Sequence, residues 1–245
     1  MTNSQPVESI PPDLISFLRK ELATLSSYSI PFWRRSRKSK HDTLRYILNK
    51  NIIPSTGIVT EFGVFKGVTI NMIAKKYPNR KVFGFDSFEG FPDDGRKDWQ
   101  HDFSLNGVLP DVPKNTQLIK GFFEETLPDF VKDHKNEKLA MLHIDCDIYS
   151  STKTIFEQCE SMIQPGCIIV FDELLHYKGF ENHEVLAFYE YLKKTGRKFE
   201  WVAIRNKVLP IDDYLQPSKD QKFTSGIMKD WRENGYEQEV AVRIL

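Results

Sequence analysis

The chain of 245 residues is long enough for one large domain, and its 34 basic and 34 acidic side chains give a formal net charge of zero. This balance argues against a general nucleic-acid or membrane-surface binder, because such proteins depend on excess positive charge. The first residues lack the charged start and apolar core of a signal peptide, and no apolar run approaches ~18 residues. The three cysteines lack CxxC spacing, so we predict reduced thiols in a soluble, cytoplasmic protein.

Residues 1–52 are predicted to form a helical extension that provides substrate or oligomer contacts. Apolar residues recur at helical spacing over 12–25, and a second helix is predicted at 41–50. Between them lies the basic run RRSRKSK at 34–40. A solvated linker is favoured for this run, a counter-charge for an anionic substrate comes second, and a nucleic-acid contact is least favoured.

From residue 57 onward, apolar strands alternate with helices of roughly a dozen residues, a pattern typical of a parallel α/β sheet covered on both faces. The predicted helices lie at 67–77, 124–133, 149–163 and 182–194. The seven predicted strands lie at 57–63, 81–86, 116–121, 138–145, 166–172, 198–204 and 238–245. No helix is predicted between the last two strands, which suggests an antiparallel edge. We therefore expect a Rossmann-like, mostly parallel seven-stranded sheet in a domain over 53–245.

The stretch 93–113 has little secondary-structure signal and contains Trp99, His101 and Phe103. Long irregular loops inside compact domains are usually lids or binding loops. We predict a substrate lid here, with disorder as the alternative.

Ligands of such sheets bind beyond the carboxyl ends of the strands. Four of the first five predicted strands end in or next to a carboxylate, at Glu61, Asp86, Asp145 and Asp172. Carboxylates are expensive to bury, so core packing alone does not favour this pattern. A chance set of turn and cap residues is the alternative.

The motif EFGVFKGVT, which begins at Glu61, joins a strand to a helix through Gly63 and Gly67. This layout lets the backbone approach a ligand and offers free N–H groups to an anion. Phe65 replaces the middle glycine of the dinucleotide fingerprint and would crowd a pyrophosphate. The smaller amino-acid end of S-adenosylmethionine should fit better, with Glu61 available for its ammonium group and Thr69 included at the helix start. A plain tight turn is the alternative.

The motif FGFDSFEGFP places Asp86 at the end of the next strand, where a carboxylate can accept both ribose hydroxyls of an adenosine-containing cofactor. Ser87 and Phe88 follow where a ribose or adenine would lie. A helix N-cap is the alternative for Asp86. Farther along, Gly121 and Phe122 end a strand where an adenine ring could be sandwiched.

The segment HIDCDIYSST places Asp145 and Asp147 two positions apart at a strand end. At ~4 Å and an effective dielectric of ~20, two such charges repel by about 4 kcal/mol. Asp172 and Glu173 end the likely neighbouring strand, so we expect four carboxylates to converge. Hard oxygen ligands suit Mg²⁺ or a similar cation, and without a cation some of them would bind protons.

Three histidines lie close to these carboxylates in the sequence. His176 and His183 follow the acidic pair and are candidates for a base or a substrate ligand, and His176 joins the predicted catalytic set. His143 lies two residues before Asp145, on the same face of its strand. A hydrogen-bonded structural histidine is the favoured interpretation for His143.

Together, EFGVFKGVT, FGFDSFEGFP, GFFEETLP, HIDCDIYSST and FDELLHYKGFENHE resemble the macrocin O-methyltransferase (TylF-type) family over roughly residues 55–200. Members of that family have the Rossmann-like class I methyltransferase fold and use S-adenosylmethionine to methylate sugar hydroxyls on natural products. The resemblance implies a divalent cation, usually Mg²⁺, held by Asp145, Asp147, Asp172 and Glu173. Glu173 departs from the family, which commonly has a second aspartate there.

The resemblance therefore implies a metal-dependent O-methyltransferase acting on a hydroxyl of a sugar or glycosylated natural product. The cation would orient and acidify that hydroxyl, with Asp145 as a ligand and Asp147 as a ligand or base. Alternatives are a metal-dependent enzyme for catechol-like phenols, a nicotinamide-dependent oxidoreductase, and a non-catalytic interaction domain. We expect a small-molecule acceptor and no nucleic-acid or membrane partner, and a homo-oligomer stays open.

Overall fold

The computed structural model describes residues 10–30, 41–92, 103–177, 179–205, 208, 211 and 238–245. Two predictions fall wholly or largely outside these residues, the role of the basic run and the non-helical connection before the last strand, and the first ten residues of the predicted lid, 93–102, also lie outside them. Within the described residues, every predicted helix and strand is present. The observed bounds of these helices and strands differ from the predicted bounds by a few residues at most.

Seven strands of the described chain form one sheet in the spatial order β3-β2-β1-β4-β5-β7-β6. Their bounds are β1 Ile58–Phe62, β2 Val82–Asp86, β3 Thr116–Lys120, β4 Leu139–Ile144, β5 Ile163–Phe171, β6 Phe199–Ile204 and β7 Val240–Ile244. Strands β1 to β5 pair in parallel, which confirms the predicted parallel sheet.

The predicted antiparallel edge is confirmed, because β6 and β7 pair antiparallel at one edge of the described sheet, and the reversed strand is the inner one of the two. Strand β7 is antiparallel to both of its neighbours, β5 and β6, so the edge strand β6 runs parallel to β1 to β5. Burial follows the order: the inner strand β7 is buried at four of its five positions, whereas the edge strand β6 is buried at three of six.

Helices cover both faces of the sheet, as predicted. Helices α1, α4, α5 and α6 pack on the face that carries Phe62, Phe85 and Ile144, whereas α2 and α3 pack on the face that carries Val59 and Met141. The six α-helices of the described chain are α1 Pro12–Leu25, α2 Asp42–Lys50, α3 Val68–Lys76, α4 Phe123–Asp133, α5 Tyr149–Cys159 and α6 Glu184–Thr195. None of these described helices combines the length and apolar character needed to cross a lipid bilayer.

The two N-terminal helices belong to the same hydrophobic core as the sheet. Helix α1 starts with proline at its first position and buries four leucines at helical spacing, each contributing about 1.5–3 kcal/mol. Its Glu21 carbonyl accepts a hydrogen bond from the indole N–H of Trp201 at 3.2 Å. The first turn of α2 is capped by Glu239, whose carboxylate accepts the N–H groups of Thr43 and Leu44 at 2.6 and 2.9 Å. The domain boundary at residue 52 stays a prediction.

The hydrogen-bonded ladder continues one residue beyond the central strands. The N–H of Asp145 donates to the carbonyl oxygen of Phe62 at 2.8 Å, and the N–H of Asp172 donates to the carbonyl oxygen of Ile144 at 2.9 Å. Backbone bonds thus fix both aspartates side by side at the carboxyl edge of the sheet.

Candidate functional site

A cavity opens at the carboxyl edge of the sheet, next to the tips of β1 to β4. This is the edge at which α/β sheets bind ligands. Eight of the predicted site residues line it: Gly63, Phe65, Asp86, Ser87, Gly121, Phe122, Asp145 and Asp147. The structure therefore brings the glycine turn, the β2 end, the β3 end and the first acidic pair to one place.

Gly63 is needed where the ends of β1 and β4 approach each other. Its φ is +91°, and a Cβ built there would lie 1.8 Å from the carbonyl oxygen of Asp145. Only glycine tolerates both the conformation and the approach. The turn thereby places backbone, without a side chain, against the floor of the cavity.

Asp86 uses its carboxylate to shape the glycine turn. Its Oδ2 accepts the N–H groups of Val64 and Phe65 at 2.8 and 2.7 Å, and its Oδ1 accepts the N–H of Phe88 at 2.6 Å. Ser87 donates to the Gly90 carbonyl at 2.7 Å and closes the next turn. Asp86 also lines the cavity, so a ribose contact and a structural role are compatible here.

Glu61 lies beneath the turn and is fully buried. Its Oε1 accepts the hydroxyl of Thr69 at 2.9 Å, and its Oε2 lies 3.1 Å from Nδ1 of His143. Neither Glu61 nor Thr69 is among the cavity-lining residues. The proposed contact of Glu61 with an ammonium group is corrected to a buried role, because both carboxylate oxygens already have side-chain partners. The predicted hydrogen bond of His143 is confirmed.

Two other predicted cofactor contacts need correction. Phe88 is fully buried and packs in the core cluster with Val64 and Ile70, because its left-handed backbone (φ +56°) turns the side chain away from the cavity surface. Gly67 is the N-cap of α3, with φ +77°, and does not line the cavity. Its role is to start the helix.

The described part of the predicted lid contributes an aromatic wall. The Phe103 ring lies 5.4 Å from that of Phe65 and 5.5 Å from that of Phe91, with both pairs edge-to-face. All three rings line the cavity, together with Phe123, which also packs in the core. Sequence reasoning missed Phe91, although an aromatic next to Pro92 in a loop was an available signal.

Two of the four predicted cation ligands lie close together, and the convergence of all four stays a prediction. Carboxylate oxygens of Asp145 and Asp172 lie within 4.8 Å of each other. Burial raises the pKa of Asp145 well above its ordinary value, and the charges of Asp172, Asp147, Glu61 and Glu173 raise it further, in that order. Among the four predicted cation ligands, Asp145 and Asp147 line the cavity, whereas Asp172 and Glu173 are not among its lining residues.

Asp147 occupies a left-handed backbone position, with φ +64°, a conformation in which aspartate is enriched. It is nearly buried, and the sequence did not reveal what lies next to it. Glu184 of α6 is completely buried, and its pKa is raised by burial and then by the charges of Asp147 and Asp172. The buried carboxyl group of Glu184 therefore lies near Asp147 and Asp172.

The predicted catalytic role of His176 is corrected. Its side chain is only 2% exposed, its backbone is left-handed with φ +65°, and it does not line the cavity. His183 is the N-cap of α6, and its ring lies 6.0 Å from that of Tyr177. A histidine outside the prediction reaches the acidic cluster instead: Nδ1 of His41 lies 3.3 Å from Oδ1 of Asp172.

Residues 60–174 match the methyltransferase domain family. The matched region covers just under half of the chain. This match contains the glycine turn, the end of β2 and both acidic pairs. This match disfavours a nicotinamide-dependent oxidoreductase, one of the predicted alternatives.

Two curated proteins similar to this chain are O-methyltransferases. One is the 8-demethyl-8-(2,3-dimethoxy-alpha-L-rhamnosyl)-tetracenomycin-C 4'-O-methyltransferase of Streptomyces olivaceus, 25% identical over 158 residues, or 54% of this chain and 59% of that protein. Another is the mycinamicin III 3''-O-methyltransferase of Micromonospora griseorubida, 28% identical over 146 residues, or 48% of this chain and 55% of that protein. The alignments thus span little more than half the length of these relatives.

Solved structures agree on the fold. The crystal structure of CalS11, a calicheamicin methyltransferase, superposes with a TM-score of 0.55 at 19% identity, over 99% of both chains. The apo structure, described as a TDP-rhamnose 3'-O-methyltransferase, gives 0.51 at the same identity, over 99% of this chain and 97% of that one. These likenesses confirm the Rossmann-like methyltransferase fold. Together with the curated relatives, they confirm the predicted resemblance to the macrocin O-methyltransferase (TylF-type) family.

Proposed function

We propose that the protein is an S-adenosylmethionine-dependent O-methyltransferase that requires a divalent cation and acts on a hydroxyl of a sugar or glycosylated natural product. One observation carries this proposal. Asp145 and Asp147 line the same cavity as the glycine turn, and carboxylate oxygens of Asp145 and Asp172 lie within 4.8 Å of each other. A site for a positively charged methyl donor and a site for a hydroxyl therefore adjoin. The substrates named for the two curated relatives support the acceptor class.

The cavity suits the methyl donor by shape and chemistry. Gly63 and Gly121 present backbone with φ +91° and +139° and no side chain, so a ligand can approach closely. The aromatic wall of Phe65, Phe91 and Phe103 offers flat apolar surfaces suited to an adenine ring. Asp86 lines the same cavity. When bound, S-adenosylmethionine supplies an electrophilic sulfonium methyl group.

The acidic cluster suits a divalent cation. Asp145 has a raised pKa because it is buried among other carboxylates, an arrangement that a cation would relieve. The oxygen donors of Asp145, Asp147, Asp172 and Glu173 are of the type that hard cations prefer. When bound, the cation lowers the pKa of an adjacent hydroxyl and holds it in place.

Side chains of this protein would then accept the proton and orient the methyl donor. Asp147 faces the cavity and is positioned to accept the hydroxyl proton as the oxygen takes the methyl group, a step for which general-base catalysis contributes about 10²–10⁴-fold. The Gly63 turn and the aromatic wall orient the donor, and alignment of the reacting atoms supplies much of the remaining acceleration.

The proposed location is the cytoplasm, where thiols stay reduced. All three cysteines, Cys146, Cys159 and Cys167, are free and buried. Burial raises the pKa of Cys159 to about 12, so it stays a neutral thiol at physiological pH.

Calorimetry and a transfer assay together test this function. We expect the full chain to bind S-adenosylhomocysteine but not NAD, and to transfer labelled methyl groups from S-adenosylmethionine to a panel of deoxysugar nucleotides and macrolide glycosides. Adding EDTA should abolish transfer, and Mg²⁺ or Mn²⁺ should restore it. Methylation of catechols in preference to every sugar would favour the phenolic alternative. Binding of NAD alone would overturn the proposal.

A further inference from the structure

His143 is a completely buried histidine on β4, and its two ring nitrogens differ in their hydrogen bonding. Its Nδ1 lies 3.1 Å from Oε2 of Glu61, and the other oxygen of Glu61 accepts the Thr69 hydroxyl at 2.9 Å. Its Nε2 has no hydrogen-bond partner among the residues that the structure describes. Leaving a buried polar atom unpaired costs about 1–3 kcal/mol, so this nitrogen indicates a missing ligand.

The position of the ring shows what that ligand is. A ring nitrogen of His143 and carboxylate oxygens of Asp145 and Asp172 all lie within 4.8 Å of one another. Opposite ligands of an octahedral ion, each about 2.1 Å from it, are separated by about 4.2 Å. Because Nδ1 is paired with Glu61, Nε2 is the atom available to complete this set.

Glu61 also sets the protonation of the ring. An ionised carboxylate can only accept, so the hydrogen bond puts the proton on Nδ1 and leaves a lone pair on Nε2. Metal-binding histidines commonly donate their other N–H to a carboxylate in this way, which fixes the tautomer and the ring orientation. The buried Glu61–His143 pair would thus orient the ring of His143 for metal binding.

We propose that Nε2 of His143 is a ligand of the cation, together with Asp145 and Asp172, and that this nitrogen makes the site select a first-row transition ion such as Mn²⁺ over Mg²⁺. The inference rests on the proposed cation requirement, and it changes the preferred cation from Mg²⁺ to a transition ion. An all-oxygen set suits Mg²⁺, whereas a set that includes an imidazole nitrogen suits a first-row transition ion better. Glu61 is a positioning residue that acts through the ring.

The structure contains one competing set around Asp172. Ligand atoms of His41, Asp172 and Glu239 also lie within 4.8 Å of one another. Both oxygens of Glu239, however, accept N–H groups at the start of α2, at 2.6 and 2.9 Å. The His143 set has the unpaired nitrogen and is the one we assign.

Pulsed electron paramagnetic resonance of Mn²⁺ bound to the full chain tests the assignment without relying on activity. One equivalent of Mn²⁺ is added with S-adenosylhomocysteine, to protein carrying either natural or ¹⁵N-labelled histidine. We expect an imidazole ¹⁴N modulation that changes to the ¹⁵N pattern on labelling. His143→Gln should abolish the modulation and lower the ratio of Mn²⁺ to Mg²⁺ affinity about tenfold, and Glu61→Gln should keep the modulation while weakening Mn²⁺ about tenfold or more.

Two histidine variants serve as matched controls. His134→Gln removes a surface histidine at the end of α4 and should leave the modulation unchanged. His41→Gln tests the competing set and should also leave it unchanged. If His143→Gln fails to fold, the labelled wild-type protein and the His41 and His134 variants still decide the assignment.

The possible results separate this inference from the proposed function. Mn²⁺ binding without any histidine modulation overturns the role of His143 and leaves a cation-dependent methyltransferase intact. Loss of the modulation in His41→Gln but not in His143→Gln moves the ion to the other set and also overturns it. Absence of Mn²⁺ and Mg²⁺ binding overturns both the inference and the cation requirement.

Discussion

On the turn side of the cavity, at the ends of β1 and β2, the carboxylate of Asp86 accepts three backbone N–H groups. On the acidic side, at the ends of β4 and β5, Asp145 faces other carboxylates, and burial together with their charges raises its pKa. Both aspartates end parallel strands and both line the cavity. They differ in their partners. The carboxylate of Asp86 has its hydrogen-bond partners within the fold, whereas that of Asp145 would be stabilised by a bound cation.

This difference separates structural from chemical carboxylates. The acids on the turn side hold the backbone in position and should matter to stability even without ligand. The acids on the acidic side repel one another, which a fold tolerates only where function requires it. Substitutions on the two sides should therefore have opposite effects on the free protein, and the predictions below test that contrast.

Asp147→Asn should have the largest effect, a loss of about 10²–10⁴-fold in kcat, because an amide cannot accept the hydroxyl proton. S-adenosylhomocysteine affinity and the unfolding temperature should change little. Methyl-transfer kinetics with the best acceptor from the panel measure this. Asp133→Asn, which changes an exposed acid at the end of α4, is the control and should retain full activity. Unimpaired transfer by the Asp147 variant would remove Asp147 from the base role.

Gly63→Ala should lower the free energy of unfolding by more than about 3 kcal/mol, because the added Cβ meets the Asp145 carbonyl in a left-handed conformation. Gly179→Ala is a matched control with a similar φ of +84° and no atom within 4 Å of the built Cβ. It should cost only about 1 kcal/mol, from backbone strain alone. Urea denaturation of both variants measures the difference, which isolates the contact between the ends of β1 and β4. Equal losses would show that this contact is not tight.

The framework of this site could be predicted from sequence because it depends on local pattern. Continuous apolar runs marked the strands, and the residues that follow them in the chain necessarily meet at one edge of a parallel sheet. That logic placed Asp86, Asp145 and Asp172 correctly. The position of β7 between β5 and β6 was not predictable in this way, because it depends on pairing between strands distant in the chain.

The directions of several side chains also could not be predicted from the sequence. Phe88 follows Asp86 directly, but its backbone of φ +56° sends the ring into the core. Glu61 was expected to face the ligand, but His143 and Thr69 engage it below the turn. The alternation of side chains along β4 placed His143 on the same face as Asp145, yet an unpaired Nε2 is visible only in three dimensions.

Asp86→Asn should destabilise the ligand-free protein by about 2–3 kcal/mol, since hydrogen bonds to a charged acceptor are worth more than those to an amide. An asparagine also places an NH₂ group against one set of N–H donors. Chemical denaturation of the chelated protein measures this loss. A stability equal to that of the wild type would show that the turn does not depend on the carboxylate.

Asp145→Asn should have the smallest effect and the opposite sign, a gain of about 1 kcal/mol in the chelated protein at pH 7. The pKa of Asp145 is raised by burial and by neighbouring charges, so the folded state holds its proton to higher pH than the unfolded state does. Wild-type stability should therefore fall as the pH rises from about 4 towards the raised pKa, and Asp145→Asn should flatten that fall. Denaturation midpoints from pH 4 to 8 in EDTA measure the slope. Saturating Mn²⁺ should reverse the ranking, because the variant loses a ligand that the wild type keeps. A variant less stable than the wild type in EDTA would mean that Asp145, like Asp86, is satisfied within the fold, and the contrast between the two sides would disappear.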